Sequence, residues 1–324
     1  MISRLLRKTA TVIVLTALMV HVISGQERND VIKAYNEGAK AIQTDPAAAI
    51  KSFETAIVLA DKVGESAADL KQKATAVLPG LYQKVASAAI SEKKPVAEIM
   101  KSAKSAVAVS EKYGTAAQKE NASKLLVQAY NVQCVDYFSK NDYKNAVLTF
   151  DSLLAINPEY INAIYNKALI YIRQNDSDSF EKTIDTYLEK VKSAGDEPKI
   201  KQASTLALEY FRGTGSKTLQ AGKPEEALAQ LNRAAKYGDD KDLFYYYADA
   251  YNKMKNFDKA MEYAKRGLDL ETGAAEAKAK FYFQLGEAQS GKSLTTEACA
   301  SYKNSVYGPF AEAAKAQLKN LKCQ

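Results

Sequence analysis

The sequence predicts an all-α protein, a right-handed α-solenoid of helix–turn–helix repeats. The 324-residue chain has only seven prolines and fifteen glycines, and it is rich in residues that favour helices. Hydrophobic residues make up 47% of the chain, which is ample for a core and argues against disorder. One helical pattern also recurs along the chain, and such self-similarity is typical of a solenoid.

The recurring pattern is clearest in residues 141–160. Ala146, Phe150 and Leu153 are spaced by four and then three residues, which places them on one stripe of a helix. Asn141 or Asp142 can cap the start of this helix. The same spacing recurs at Ala49-Phe53-Ala56, Ala227-Leu231-Ala234, Ala260-Ala264-Gly267 and Ala298-Tyr302-Ser305, and residues 101–114 mirror residues 51–64.

A second pattern precedes each of these stripes. The preceding helix carries a small residue between larger ones, as in Tyr130-Cys134-Tyr137. A small residue lets two paired helices approach closely, while the larger side chains fill the grooves on either side. The corresponding residues elsewhere are Tyr35-Gly38-Ala41, Phe211-Gly215, Phe244-Tyr247-Ala248-Tyr251 and Tyr282-Leu285-Gly286.

Together these patterns make the chain similar to tetratricopeptide repeat proteins, whose unit is a 34-residue helix–turn–helix. Residues 127–160 have that length, although Cys134 stands where the family has glycine. In residues 161–194, Phe180 stands where the family has alanine, which weakens the prediction of a second helix there. The resemblance implies about seven units, with the first helix of each lining an inner surface.

The resemblance also suggests how the chain is divided. Residues 26–126 are predicted to form degenerate repeats, residues 127–194 two repeats and residues 195–308 three repeats. Residues 309–324 are expected to hold a capping helix from Phe310 to Leu321, because the last unit of a solenoid needs a polar-faced cap.

The first 25 residues have the features of a secretory signal peptide. Arg4, Arg7 and Lys8 precede the apolar run 11–23, which Ser24 and Gly25 follow. A retained anchor is the alternative, but the run is shorter than the roughly 20 residues that a spanning helix needs. We therefore expect export to the periplasm or cell envelope of a Gram-negative bacterium.

The charge of the chain argues against nucleic acid as the main partner. Removing residues 1–25 takes away three positive charges and no acid, so the net charge falls from +7 to +4. Only five arginines remain, and acidic and basic residues are interspersed. Nucleic-acid binders usually concentrate basic residues in one patch.

Catalytic chemistry has little support in the sequence. The only histidine, His21, lies in the predicted signal segment, so the mature chain has none for a Ser-His pair or a zinc site. We expect no metal and no cofactor. Residues 286–293, GEAQSGKS, match the phosphate-loop pattern, but helical spacing precedes them where that motif needs a strand. A nucleotide-dependent enzyme therefore stays as an alternative that a strand before Gly286 would support.

The three cysteines are an odd number. Cys134 and Cys299 lie in predicted helices, where a buried thiol acting as a small apolar group is expected. Antiparallel helices over residues 295–306 and 310–321 would leave Cys323 about 10 Å too far along the chain to face Cys299. We therefore expect Cys323 to be free or to link two chains.

The predicted function is a non-catalytic scaffold that holds a peptide or protein partner in a concave groove. Equivalent positions on the first helices carry Asn131, Tyr165, Arg212, Tyr245 and Phe283, and an aromatic and polar groove suits peptide recognition. These side chains are expected to project inward without supporting the core. The alternative is a glycan-binding module, which should show aromatic rings clustered on one exposed surface.

Overall fold

The computed structural model describes residues 27–323. These residues form α-helices joined by short turns and contain no strand. The chain divides into two compact units, one ending at Ala163 and the other beginning at Ile164. The predicted signal segment lies outside the described residues. No helix among those described is long and apolar enough to cross a membrane.

The first unit contains six helices and the start of a seventh. Helix α1 covers residues 27–41 of the described chain. The others are α2 (Pro46–Val63), α3 (Ala68–Ser91), α4 (Val96–Tyr113), α5 (Ala116–Ser139) and α6 (Tyr143–Ile156).

The second unit contains the remaining helices. They are α7 (Ile161–Gln174), α8 (Ser177–Ser193), α9 (Glu197–Gln220), α10 (Pro224–Ala235), α11 (Lys241–Lys253), α12 (Phe257–Leu270), α13 (Ala275–Gly291), α14 (Thr295–Lys303) and α15 (Ala311–Asn320). A 3₁₀ turn, Gly308–Phe310, precedes α15. Residues 27–323 thus form seven successive helix pairs and a final helix. The predicted fold class, an all-α solenoid of helix–turn–helix repeats with a C-terminal capping helix, is confirmed.

The turn between the two helices of a pair has a repeated construction. Asp142 begins α6, and its side chain accepts a hydrogen bond from the backbone N–H of Asn145 at 3.2 Å. Asn141, just before it, has a φ of 57°, the left-handed conformation that asparagine tolerates better than most residues. Side-chain caps of the same kind begin α2, α8, α9, α11 and α12, at Asp45, Asp176, Asp196, Asp240 and Asn256. These caps satisfy backbone N–H groups that a helix start leaves without partners.

Every residue of the predicted stripes is buried. In α6, Ala146 and Leu153 are fully buried and Phe150 is nearly so. The polar member of the set, Ser305, is also fully buried, and its hydroxyl donates a hydrogen bond to the carbonyl of Tyr302 at 2.9 Å. Each stripe packs against the neighbouring helices in the chain, and the first helices of successive pairs also touch, α3 with α5, α9 with α11 and α11 with α13.

Three of the predicted small residues are points of close helix approach. A Cβ added at Gly286 would lie 2.8 Å from the ring of Tyr302, and one at Gly215 would lie 2.7 Å from Leu231. Gly38 stands 3.1 Å from Phe53 by the same measure. Each large partner belongs to the second helix of the same pair, as the sequence predicts. Cys134 replaces glycine in α5, and its thiol lies 3.7 Å from the carbonyl oxygen of Ala146.

Helix α8 forms despite the doubt that Phe180 raised. It is a regular helix over Ser177–Ser193, and Phe180 is fully buried. The ring of Phe180 packs against Tyr210 at 4.6 Å and against Phe211 at 5.6 Å, measured between ring centres. Both partners belong to α9, so the large side chain fills space against the following pair. The second helix of this repeat is therefore present, with Phe180 in place of the family's alanine.

The prediction for Cys323 was also wrong, because Cys299 and Cys323 form a disulfide within the chain. Their Cα atoms are 5.6 Å apart. Helix α15 ends at Asn320, and Lys322 then adopts a left-handed φ of 54°. The N–H of Cys323 bonds to the carbonyl of Leu318 at 2.9 Å, so the chain turns back toward α14. The sequence argument had extended α15 in a straight line to its end.

Cys134 keeps the predicted role of a small apolar group. It is a free, buried cysteine in α5. Burial raises the pKa of its thiol to about 12. The reactive thiolate is therefore suppressed at neutral pH.

Close packing at Gly267 can be tested with a matched pair of helical glycines. A Cβ at Gly267 would lie 2.2 Å from the ring of Phe281, whereas a Cβ at Gly213 would meet no atom within 4 Å. We expect Gly267→Ala to lower the free energy of unfolding by about 1–3 kcal/mol through overpacking. Gly213→Ala should raise it by roughly 0.5–1 kcal/mol, because alanine loses less entropy in a helix. Urea unfolding followed by circular dichroism measures both. Equal effects from the two substitutions would contradict this packing.

Candidate functional site

A groove between α7 and α9, in the second unit, contains the candidate residue Tyr165. Its volume is about 470 Å³. Helix α9 supplies the rest of the lining from a single stripe, Pro198, Lys201, Gln202, Thr205, Leu206 and Glu209. Residues at these intervals share one face of a helix. The groove therefore combines apolar side chains with amide, hydroxyl and charged groups.

The ring of Tyr165 packs against Tyr187, a buried residue of α8. Its ring centre lies 5.1 Å from that of Tyr187 in α8, with the two planes tilted by 49°. Tyr187 is almost fully buried, and burial raises the pKa of its hydroxyl. Tyr165 itself remains partly exposed. An aromatic ring that a buried ring supports is a rigid contact surface, which loses little entropy when a partner binds.

Arg212 lies one helical turn beyond Glu209, on the same stripe of α9. Its guanidinium forms an ion pair with Asp240 and lies 4.0 Å from Asp242. Asp240 also caps α11, accepting a hydrogen bond from the N–H of Leu243 at 2.6 Å. The Arg212 side chain is 20% exposed. Arg212 therefore helps to hold the start of α11 in position.

Tyr245 belongs to an aromatic cluster on α11 and α13. Its ring centre lies 6.2 Å from Phe281 and 6.5 Å from Phe310. The ammonium of Lys280 lies 5.5 Å from the Tyr245 ring centre and 2.5 Å from a carboxylate oxygen of Asp242. Burial raises the pKa of the Tyr245 hydroxyl to about 12. This side chain is packed and protonated at neutral pH.

Phe283 and Asn131 also have partners within the protein. The Phe283 ring centre lies 5.7 Å from Tyr302 and 5.4 Å from Phe310. In the first unit, the side-chain amide of Asn131 donates a hydrogen bond to the hydroxyl of Tyr160 at 2.9 Å. Asn131 thereby joins α5 to the segment before α7.

These positions correct one expectation about the five candidates. All five are expected from the sequence to project without supporting the packing of helices, but each contacts a neighbouring helix or turn, including Tyr165 through Tyr187 and Asn131 through Tyr160. The physical reason is that the segments before α11 and α15 bring Asp240 and Phe310 over the first helices. Tyr165 is the candidate that lines a groove. Leu206, Gln202 and Glu209 are not among the predicted site residues, although their spacing along α9 indicates a shared stripe.

A larger groove lies in the first unit, with a volume of about 760 Å³, between the start of α2 and helices α3 and α4. Several of its polar groups already have partners. The hydroxyl of Tyr82 donates to Glu54 at 2.6 Å, and the ammonium of Lys84 donates to the carbonyl of Ile42 at 3.3 Å. Asp45 caps α2. These contacts hold the helices together around the groove.

The phosphate-loop pattern in residues 286–293 does not form a phosphate loop. Gly286 lies inside α13, which runs through Gly291, and a helix rather than a strand precedes the pattern. Gly291 packs against the ring of Phe257, and the ammonium of Lys292 pairs with Asp258. The element before Gly286 is thus a helix and not the strand that would support a nucleotide-dependent enzyme. Among residues 27–323, no group of three His, Cys, Asp or Glu side chains could hold a metal ion.

The most extensive tyrosine stack uses its rings within the protein. Tyr263 of α12 stacks on Tyr247 and Tyr251 of α11, with ring centres 4.5 Å and 5.6 Å away. The guanidinium carbon of Arg266 lies 5.3 Å from the Tyr263 ring centre, and Lys259 covers Tyr251 at 5.1 Å. Ring faces that already contact neighbours are poorly placed to stack on a sugar. This cluster therefore gives the glycan alternative no support.

Part of the chain matches a known protein family. Residues 218–277, from the end of α9 to the start of α13, match the tetratricopeptide repeat family. A tetratricopeptide repeat protein from Parabacteroides merdae is similar in structure at 16% identity, over 91% of this chain and 99% of that one, with a TM-score of 0.31. YrrB, described as a TPR protein with an unusual peptide-binding site, has 18% identity over 59% of this chain and 91% of its own, with a TM-score of 0.35. No curated protein sequence matches the chain.

The role of Lys292 gives a test of the enzyme alternative. Calorimetry with ATP and magnesium at millimolar concentration should show no saturable binding, because α13 offers no cradle of backbone N–H groups. Lys292→Ala should change the free energy of unfolding by less than about 1 kcal/mol, since it removes only a solvent-exposed ion pair. Saturable ATP binding that the substitution abolishes would contradict the structural interpretation.

Proposed function

Because the chain carries tetratricopeptide repeats, we propose that it is a non-catalytic scaffold that binds an extended segment of a partner protein. The binding site in this proposal is the α7–α9 groove, with Tyr165 as its main contact. The observation that carries the proposal is the combination of a supported aromatic ring with a stripe of mixed apolar and polar residues. Proteins of this family are generally non-catalytic scaffolds.

The lining of the groove suits a peptide chain. Tyr165, Pro198 and Leu206 provide an apolar surface for one or two side chains of the partner. Gln202 and Thr205 carry groups that can bond to a peptide backbone, whose N–H and C=O groups need partners once they leave water. Lys201 and Glu209 contribute one charge of each sign. A strongly acidic partner such as nucleic acid would favour a more basic surface.

We also propose that the protein acts outside the cytoplasm, in the periplasm or cell envelope of a Gram-negative bacterium. The support for this location is the pattern of residues 1–25, with its basic start, short apolar run and small residues. The Cys299–Cys323 disulfide agrees with such a location, because disulfides persist mainly in oxidising compartments.

Export can be tested by sequencing the N-terminus of the protein purified from its natural source. Cleavage of a signal peptide should give a chain that starts near Gly25, Gln26 or Glu27. Recovery of a chain that starts at Met1 or Ile2 from the membrane fraction would instead indicate a retained anchor.

The groove can be tested with peptides selected from a random displayed library on the purified protein. For peptides that bind in the groove, Tyr165→Ala should weaken affinity by about 2 kcal/mol, or roughly thirtyfold, because a central aromatic contact is lost. The affinities are measured by fluorescence anisotropy on variants whose thermal melting confirms that they are folded.

The matched control is Leu148→Ala in α6, which removes a side chain that is 53% exposed and lies outside the groove. This substitution should leave peptide affinity unchanged. If the selected peptides bind the Tyr165→Ala variant as tightly as the parent, the α7–α9 groove is not the binding site.

A further inference from the structure

The turn that precedes α15 places an aromatic side chain on two of the candidate groove residues. Phe310 ends the 3₁₀ turn Gly308–Phe310, and its ring centre lies 5.4 Å from Phe283 and 6.5 Å from Tyr245. Phe283 and Tyr245 hold equivalent places on the first helices of successive pairs. The Phe310 ring thus covers the surface formed by Phe283 and Tyr245. The surface beside Tyr165, between α7 and α9, remains an open groove.

The turn is shaped to bring Phe310 to this surface. Gly308 has a φ of 49°, and a Cβ added there would lie 2.9 Å from the carboxylate of Glu276 at the start of α13. A side chain at this position would be strained by its backbone conformation, and the Glu276 side chain would have to move. The N–H of Phe310 also bonds to the carbonyl of Tyr307 at 3.2 Å. The backbone geometry and the close approach together fix the direction of the ring.

Two anchors behind Phe310 keep this segment in place. The side-chain amide of Gln317 in α15 donates to a carboxylate oxygen of Glu287 at 3.1 Å. The Cys299–Cys323 disulfide joins the chain end to α14. Phe310 is therefore tethered on both sides of the turn, by α14 before it and by the anchored α15 after it.

The rings beneath Phe310 form a surface that suits the packing of an aromatic side chain. Tyr245 and Phe283 meet the Phe310 ring at edge-to-face and tilted angles, which are favoured arrangements for aromatic pairs. The Phe310 and Tyr245 planes, for example, meet at 77°. The ammonium of Lys280 lies 5.0 Å from the Phe281 ring centre and adds a positive charge at the border of the cluster.

We propose that the surface formed by Tyr245 and Phe283 is a binding site for an aromatic side chain of a peptide, and that Phe310 is its resident occupant. This proposal extends the proposed function. It rests on one shared assumption, which is that the first helices of this unit bind peptide segments. A partner segment with an aromatic residue then competes with the chain's own turn. The site is occluded until Phe310 moves away.

Tethering sets the strength of this competition. A group held on a short stretch of chain has an effective concentration of about the millimolar range. An external peptide that makes the same contacts must exceed that value before it displaces Phe310. Removing the Phe310 ring eliminates the competitor and leaves the acceptor rings in place.

The test uses a labelled synthetic peptide with the sequence of residues 306–312, VYGPFAE, titrated by fluorescence anisotropy. We expect the full-length Phe310→Ala variant to bind this peptide at least tenfold more tightly than the parent protein does. Tyr307→Ala is the matched control, because it removes a neighbouring ring that is 43% exposed and keeps Phe310. That control should bind as weakly as the parent.

Two further measurements keep the test independent of any loss of folding. A peptide with alanine in place of its phenylalanine, VYGPAAE, should bind the Phe310→Ala variant at least tenfold more weakly than VYGPFAE does. Gly308→Val keeps the Phe310 ring but strains the turn, so it should also raise the affinity for VYGPFAE above that of the parent. Circular dichroism and thermal melting establish that each variant is folded.

The outcomes separate this inference from the proposed function. Absence of VYGPFAE binding to folded Phe310→Ala at millimolar concentration would overturn the inference, as would equal affinities for the parent and this variant. Equal binding of the two peptides would overturn it as well, because the ring would then contribute nothing. If adding Tyr165→Ala to Phe310→Ala weakens VYGPFAE binding, the peptide occupies the α7–α9 groove, which would overturn this inference while supporting the proposed function.

Discussion

The two helices of a pair approach each other closely at positions where one helix carries a small residue, namely glycine, alanine or cysteine. A Cβ at Gly215 or Gly286 would lie less than 3 Å from the large side chain that faces it. Such contacts leave no room for a larger residue and fix the rotation of each helix about its axis. Once the rotation is fixed, the face that points away from the partner helix is also determined. The Tyr165 groove exists because α9 presents the stripe that includes Leu206 on that outward face while Gly215 faces α10.

The same constraint explains why a phosphate-loop pattern occurs in a helix. Gly286 is required by the ring of Tyr302, and Gly291 stands against the ring of Phe257. The five-residue interval between these glycines follows from two packing contacts, one within the pair and one with α12. Lys292 and Ser293 then form the turn that follows α13, where Ser293 has a φ of 62°. A short motif can thus arise from helix packing alone, and the element that precedes it decides its meaning.

The sequence predicted the buried stripes of several helix pairs and a total of about seven pairs, since these depend on local spacing. All of the stripe residues, including the polar Ser305, are buried as predicted. The surroundings of the candidate site were harder to predict, because the partners of Arg212 and Phe283 come from connecting segments. Asp240 is 28 residues from Arg212 in the chain, and no helical periodicity indicates that the two meet. The disulfide escaped prediction for a similar reason, because it depends on a left-handed turn at Lys322 beyond the last helix.

The C-terminal end shows how a repeat array is closed when its last helix is small. Helix α15 has ten residues, and Ala314 is its one buried residue. Leu318 and Leu321 are only partly buried against the cluster of Ala298, Tyr302 and Ala314. The Cys299–Cys323 bond supplements this small core, because a cross-link lowers the conformational entropy of the unfolded chain. The Phe310 ring adds apolar contact with α11 and α13. The end of the array is therefore stabilised by the packing of Phe310 on Tyr245 and Phe283 together with the disulfide.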